Sequence, residues 1–268
     1  MSRPLSKVTG WALLIGLSFF LIGPLVNLLL WAFSSRWPYP SLLPEHWSLR
    51  WWRFVLQDHS IAHAVWASLS TAPVVTLLSV LLCLPAAYAL SRLPVPGGRF
   101  WMISLLAINA FPKFGLYIAI ATLFFRIGLI GTYWGVILIQ LLGTVVFMVW
   151  IPKAAFDAVP RELEEAARDC GAKPLAVFLR VTLPIALPSI AIAAILAFLA
   201  AFDESQGTLI VGAPNITTMP ILMYRLVSSY PQPVSAVFSV LLGLPSLTLL
   251  LLVRRSLLSG RLAAGFGV

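Results

Sequence analysis

Apolar residues in this chain arrive in runs of about twenty or more, and that length limits the fold more than any other feature. About 20 residues of helix cross the hydrocarbon layer of a bilayer, and there each backbone N–H and C=O has to be satisfied inside its own segment, which selects helices. Six such runs can be drawn: Trp11 to Phe33, His63 to Leu90, Phe100 to Phe125, Gly131 to Ile151, Leu183 to Phe202 and Pro233 to Val253. Only 10% of the 268 residues are charged and 60% are hydrophobic, against roughly 25% charged in soluble domains. The expectation is an all-α membrane protein of about six transmembrane helices. Residues 1–268 form one transmembrane domain, with no length left over for a catalytic one.

Charge placement orients the spans. Arg3, Lys7, Arg92, Arg99, Lys153, Arg161, Arg168, Lys173, Arg180, Arg254, Arg255 and Arg261 fall at the termini, in Ser91 to Arg99 and in Pro152 to Thr182. The opposite loops hold chiefly Arg36, Arg50, Arg53, Arg126 and Arg225. The positive-inside rule makes the first set cytoplasmic, both termini included. The net charge of +9 is therefore a topology signal, scattered over span ends without the basic patch that nucleic acid requires. The run after Lys7 is too long for a signal-peptide core and reads as an uncleaved first span. Trp11, Trp31, Trp66, Trp101, Trp134 and Trp150 sit near span ends, where an indole buries its ring and wets its N–H. Ser48 to Leu56 mixes basic and aromatic residues at helical spacing, and reads as a helix along the outer membrane surface or a contact for an external partner. Pro24, Pro73, Pro85, Pro112, Pro188 and Pro245 fall inside spans, where each removes a donor and kinks a helix. Cys83 in a span and Cys170 in a polar segment give no disulfide framework.

One polar, helix-forming island interrupts this pattern, at residues 152–182. Asp157 to Glu165 carries a helix start, with Pro160 early and acids at the positive end of the dipole, and Gly171 supplies a stop. Leu163, Ala166, Ala167 and Cys170 share a narrow apolar face, while Glu164 and Arg168 can pair at i,i+4. After Lys173-Pro174 a second short helix, Leu175 to Val181, runs into Leu183-Pro184 and the next span. The island reads either as a solvated loop or as a surface whose small residues admit a close partner.

Glu165-Ala166-Ala167, three residues, Gly171, nine residues, Val181, one residue, Leu183-Pro184 resembles the signature loop of permease subunits of binding-protein-dependent ABC importers, with Val181 where isoleucine is commoner. Ala86 to Arg92 resembles the end of that family's second span and Gly128 to Thr132 its turn between the third and fourth. Ala201-Phe202-Asp203-Glu204 and Thr217 to Tyr224 are similar to the branch importing polyamines, opines, aminoalkylphosphonates and ferric ion. The resemblance implies a multi-pass protein of the cell inner membrane whose 152–182 loop is a cytoplasmic coupling loop. Its docking residues would be Leu163, Glu165, Ala166, Ala167, Cys170, Gly171 and Leu175, seated in a separate ATP-hydrolysing subunit. The implied partners are a second permease, two ATP-binding subunits and an extracytoplasmic solute-binding protein, besides membrane lipid. ATP and Mg2+ would belong to the ATPase subunits, with no cofactor on this chain.

The chain itself has no Gly-x4-Gly-Lys-Ser/Thr phosphate loop, no His-Glu-x-x-His, no Gly-x-Ser-x-Gly and no paired-cysteine metal spacing, so it reads as a transport subunit and not an enzyme. A free-standing secondary transporter is the competing reading, and a ferric-ion importer the competing cargo. Lys113, Asp203 and Glu204 are the ionisable residues at membrane depth. Such charges face a bundle interior or a cavity, so they either pair with one another or line the solute pathway.

Overall fold

The computed structural model describes residues 4–38, 40–110 and 112–258. Arg3 and Arg261 of the orienting set lie outside these residues, as do the side chains of Lys7, Arg254 and Arg255. Helices dominate: α1 (Pro4–Ala32), α2 (Arg50–Gln57), α3 (His59–Arg92), α4 (Gly98–Ala110), α5 (Lys113–Arg126), α6 (Tyr133–Asp157), α7 (Arg161–Asp169), α8 (Pro174–Val177), α9 (Leu183–Phe202), α10 (Gln206–Gly212), α11 (Met219–Ser229) and α12 (Gln232–Leu258). Two short antiparallel strands, β1 (Ser34–Arg36) and β2 (His46–Trp47), are the part that hydropathy did not anticipate.

Among the described residues five helical stretches are long and apolar enough to cross a membrane: Thr9–Ala32, His59–Arg92, Tyr133–Asp157, Pro174–Phe202 and Gln232–Leu249. The third expected span is not one helix. It is broken into α4, of 13 residues, and α5, of 14, each short of the ~20 needed to cross alone. Pro112 is the cause: it sits at φ −58, ψ 109, outside the helical region, lacks a donor, and disfavours helical geometry in the residue before it. Pro24, Pro73, Pro85, Pro188 and Pro245 are instead carried inside α1, α3, α9 and α12, and Pro152 inside α6.

By internal contacts the chain divides into two compact units, 1–62 with 222–245, and 63–221 with 246–268. In the first, α2 buries Val55 and keeps Trp51 and Trp52 half-buried, which is how a surface helix with one apolar edge behaves. Along α1 apolar side chains stand uncovered, Phe19 at 80% and Phe20 at 75% exposure, so lipid or another subunit has to cover them. Asp58, ahead of α3, is held below the usual carboxylate range by hydrogen bonding from Ser60, with the Arg225 guanidinium nearby.

The second unit is organised by α6 against α9. Gln140, Thr144, Met148, Pro152 and Phe156 recur every four residues on the buried side of α6. Ala186, Ile190, Ala193, Ala197 and Ala201 supply the facing ridge of α9. Small residues let two backbones approach where lipid gives no hydrophobic push between helices. Of the indoles expected as anchors, Trp11, Trp66, Trp101 and Trp134 are exposed. Trp150 instead packs into the α6–α9 core with its N–H buried, and Trp31 lies against Trp37 in a tilted pair, 4.6 Å between centroids.

Candidate coupling surface and pathway charges

Helix α7 begins after Pro160, with Glu162 and Glu164 in its first turn and Arg168 in its last, the polarity that the helix dipole favours. It ends in a Schellman turn: Gly171 N–H donates to Arg168 C=O (2.8 Å) and Ala172 N–H to Ala167 C=O (3.1 Å). Gly171 sits at φ +83, where a Cβ would meet nothing within 4 Å. The backbone angle, not crowding, is therefore what calls for glycine.

The second helix differs from expectation. α8 is only Pro174–Val177, followed by a π-helical turn over Phe178–Thr182 that continues directly into α9. Pro184 lacks the N–H that would close a regular turn, and its ring presses on the carbonyl four residues back; a wider turn relieves both. The island is thus an elbow whose second arm is continuous with a membrane span.

Of the expected docking residues, Leu163, Glu165, Ala166, Cys170, Gly171 and Leu175 are exposed and Ala167 is half-buried. Leu163 and Leu175 stand 47% and 69% exposed, so the apolar face of the elbow is turned outward. The turn at Gly128–Thr132 forms as expected, with Gly128 and Gly131 at positive φ and Thr132 capping α6.

What holds the elbow was not anticipated. Glu164 is the one buried residue of α7. Its Oε1 accepts from Arg92 Nη2 (2.9 Å) and Nε (3.0 Å) and from Thr182 Oγ1 (2.8 Å), while Arg168, the expected i,i+4 partner, stays at 3.9 Å. Arg92 also donates to Val159 C=O (2.9 Å). Beside it, Asp157 accepts from Ser91 Oγ and Lys153 Nζ, both at 2.6 Å. Tyr88, Phe156 and Phe178 pack edge to face underneath.

The pathway candidates separate. Glu204 Oε1 accepts from Gly207 N–H (2.7 Å), and its Oε2 from Thr208 N–H (2.8 Å) and Oγ1 (2.6 Å), so both oxygens cap the start of α10. Gln140 donates to the same Thr208 hydroxyl, extending a polar seam into α6, while Thr144 bonds Ser79 of α3. Lys113 and Asp203 are exposed, and among the described residues no ion pair joins Lys113 to either acid. Glu204→Ala should strip three bonds from α10 and cost about 1–3 kcal/mol, seen as a melting temperature several degrees lower in detergent. A normal melting curve with impaired transport would instead place Glu204 in the pathway.

The five membrane-length helical stretches, and the polar elbow that leads into one of them with its apolar side outward, are features of a multi-pass membrane protein. The sequence belongs to the family described as binding-protein-dependent transport system inner membrane component, matched over residues 79–261. It is 28% identical over 270 residues to the maltodextrin transport permease MdxG of Bacillus subtilis (strain 168), covering 98% of this chain and 97% of the relative. To the trehalose transport permease SugB of Mycobacterium tuberculosis (strain CDC 1551 / Oshkosh) it is 27% identical over 265 residues, 95% and 96% of the two chains. A bacterial ABC transporter involved in import of the acidic polysaccharide alginate shares the fold, with TM-score 0.68 at 18% identity over 95% of this chain and 98% of that one. The inward-facing MetNI methionine ABC transporter gives TM-score 0.60 at 21% identity over 72% and 93%. The chain is therefore an ABC importer permease subunit of the inner membrane, a transport component and not an enzyme, with ATP hydrolysis in separate subunits.

The relatives named are sugar permeases, which revises the expected polyamine, opine, aminoalkylphosphonate or ferric-ion branch. The residues behind that expectation have structural work instead: Ala201 and Phe202 pack in the interior, Glu204 caps α10, and Met219 N–H bonds Ser68 Oγ at the start of α11.

Proposed function

We propose that this chain forms half of the pathway of an ATP-driven importer for a sugar or short oligosaccharide handed over by an extracytoplasmic binding protein. The observation that carries the mechanical part is the exposed apolar face of α7 and α8 on an otherwise anchored elbow. Leu163, Glu165, Ala166, Ala167, Cys170, Gly171 and Leu175 dock there into a cytoplasmic ATPase subunit. Two such subunits, binding ATP and Mg2+, close and rock this chain against a second permease. Both termini and residues 152–182 then face the cytoplasm.

The maltodextrin, trehalose and maltose relatives favour a neutral polyhydroxyl solute. Lys113 and Asp203, exposed and in none of the ion pairs among the described residues, suit hydroxyls by donating and accepting along a path completed by the second permease. Lys113 begins α5, so the positive end of that helix lies at the same place.

Proteoliposomes containing the four-part complex and its binding protein test the reading. ATP-dependent uptake is expected for labelled maltose, maltodextrin or trehalose and not for spermidine or aminoethylphosphonate. Lys113→Ala should raise the half-saturating solute concentration about tenfold, the worth of one charge-assisted hydrogen bond. Uptake of the amines alone would overturn the sugar assignment.

A further inference from the structure

Two membrane helices are tied to the elbow by the chain itself: α6 through residues 158–160 and α9 through the π-helical turn. Helix α3 has no such link. It ends at Arg92, and Arg92 is the residue by which it reaches α7, through the Glu164 carboxylate at 2.9 and 3.0 Å. Among the described residues the other side chains near the α3 end go to α6, its link to α7 and α9: Ser91 bonds Asp157, Tyr88 packs on Phe156 and Phe178, and Ala87 lies in a cluster with Val159 and Ile190. Both partners are enclosed, the Arg92 and Glu164 side chains being 8% and 3% exposed. The apolar face of α7 points away from the membrane helices, with Leu163 uncovered, so greasy packing does not fasten it to them. A nine-residue helix is moreover too short to hold its shape unaided.

We propose that the Arg92–Glu164 pair is the joint through which displacement of α7 is passed to α3, making Arg92 a positioning residue for energy coupling and not only for folding. The guanidinium grips three parts at once: α7 through Glu164, the α6–α7 link through Val159 C=O, and α3 by being its last residue. Thr182, on the same carboxylate oxygen, adds the base of α9. One buried oxygen therefore gathers α3, α7 and the base of α9, and its planar, forked partner fixes direction as well as distance.

The inference rests on α7 being the ATPase-docking helix, and the test separates the two. In the reconstituted complex, Arg92→Met and Glu164→Gln should keep the ATPase subunit bound and its basal hydrolysis near wild type, while solute taken up per ATP falls at least tenfold. Arg92→Lys, which keeps the charge but loses the fork, should recover part of that ratio. Spin labels on Glu162→Cys, an exposed position of α7 outside the docking set, and on Leu81→Cys in α3, with Cys170 replaced by serine, should hold one separation through the nucleotide cycle when Arg92 is present, and a broadened, nucleotide-dependent one in R92M. Unchanged uptake per ATP in an assembled R92M complex would overturn the joint. So would identical label distributions, or losses of uptake matched by losses of assembled complex in all three variants. Failure of the docking reading looks different: the ATPase subunit would then stay bound after Gly171→Pro as well.

Discussion

Gly171→Pro should abolish uptake, by a hundredfold or more, while leaving a protein that still inserts in the membrane. Gly171 sits at φ +83 and its N–H closes the turn onto Arg168 C=O. Proline holds φ near −65 and has no N–H, so the substitution removes both the angle and the bond. The Schellman pairing of Ala172 with Ala167 then has no geometry to form in, and the second arm leaves its direction relative to α7. Gly171→Ala is the graded control. Its Cβ meets nothing within 4 Å, so only the backbone preference is lost, a cost of about 1 kcal/mol, and most uptake should survive. Glu165→Lys probes the surface without bending it, because that side chain is exposed. It should release the ATPase subunit with no change in the melting temperature of the isolated permease. Co-purification of the ATPase subunit with both G171P and E165K at wild-type yield would remove the docking surface from residues 161–175.

The contrast between Glu165 and Glu164 marks what a one-dimensional reading can reach. The proposed docking residues, Glu165 among them, lie within one contiguous stretch, where a family motif and a helix stop at Gly171 can be read along the chain. For Glu164 the same logic offered Arg168, four residues on, yet the partner found is Arg92, 72 positions earlier. Nothing in the spacing of two charges that far apart says they meet; only the return of α3 beside α7 brings them together. The third span shows a related limit. Hydropathy averages over about 20 residues and passes smoothly across Pro112, whereas backbone geometry answers to single residues, so α4 and α5 separate there. Trp150 misled in another way, since an indole near a span end serves equally as an anchor or as core filling between α6 and α9. For Glu204 two readings stood, a pair with Lys113 or a place along the pathway, because a charge at membrane depth needs a partner or a cavity. The partners turned out to be the amides of the helix directly after it, a local cap that its position before α10 would have revealed.

Ala197→Phe should prevent the second unit from folding at all. Ala197 has no exposed surface and lies in a cluster with Cys83, Met102, Met148, Val149 and Ala193, closed in by Val145 and Trp150. In a bilayer this contact is held by fit, since the alternative partner for each side chain is equally apolar lipid. A benzyl group at the centre of the α9 ridge has to push α6 away or turn out of its rotamer. Overpacking of this kind costs about 1–3 kcal/mol in cores that can give way, and more where Met148, Val149 and Trp150 already fill the space against the small residues of α9. Detergent-solubilised A197F should run as aggregate in size-exclusion chromatography, whereas Ala197→Gly should remain monodisperse with a modestly lower melting temperature. Ala191 lies on the same helix but exposed, so Ala191→Phe should leave the isolated chain monodisperse. If A191F nevertheless fails to assemble with the second permease, the uncovered side of α9 is where that subunit packs. Equal behaviour of A191F and A197F would mean that the α6–α9 contact is not what organises this unit.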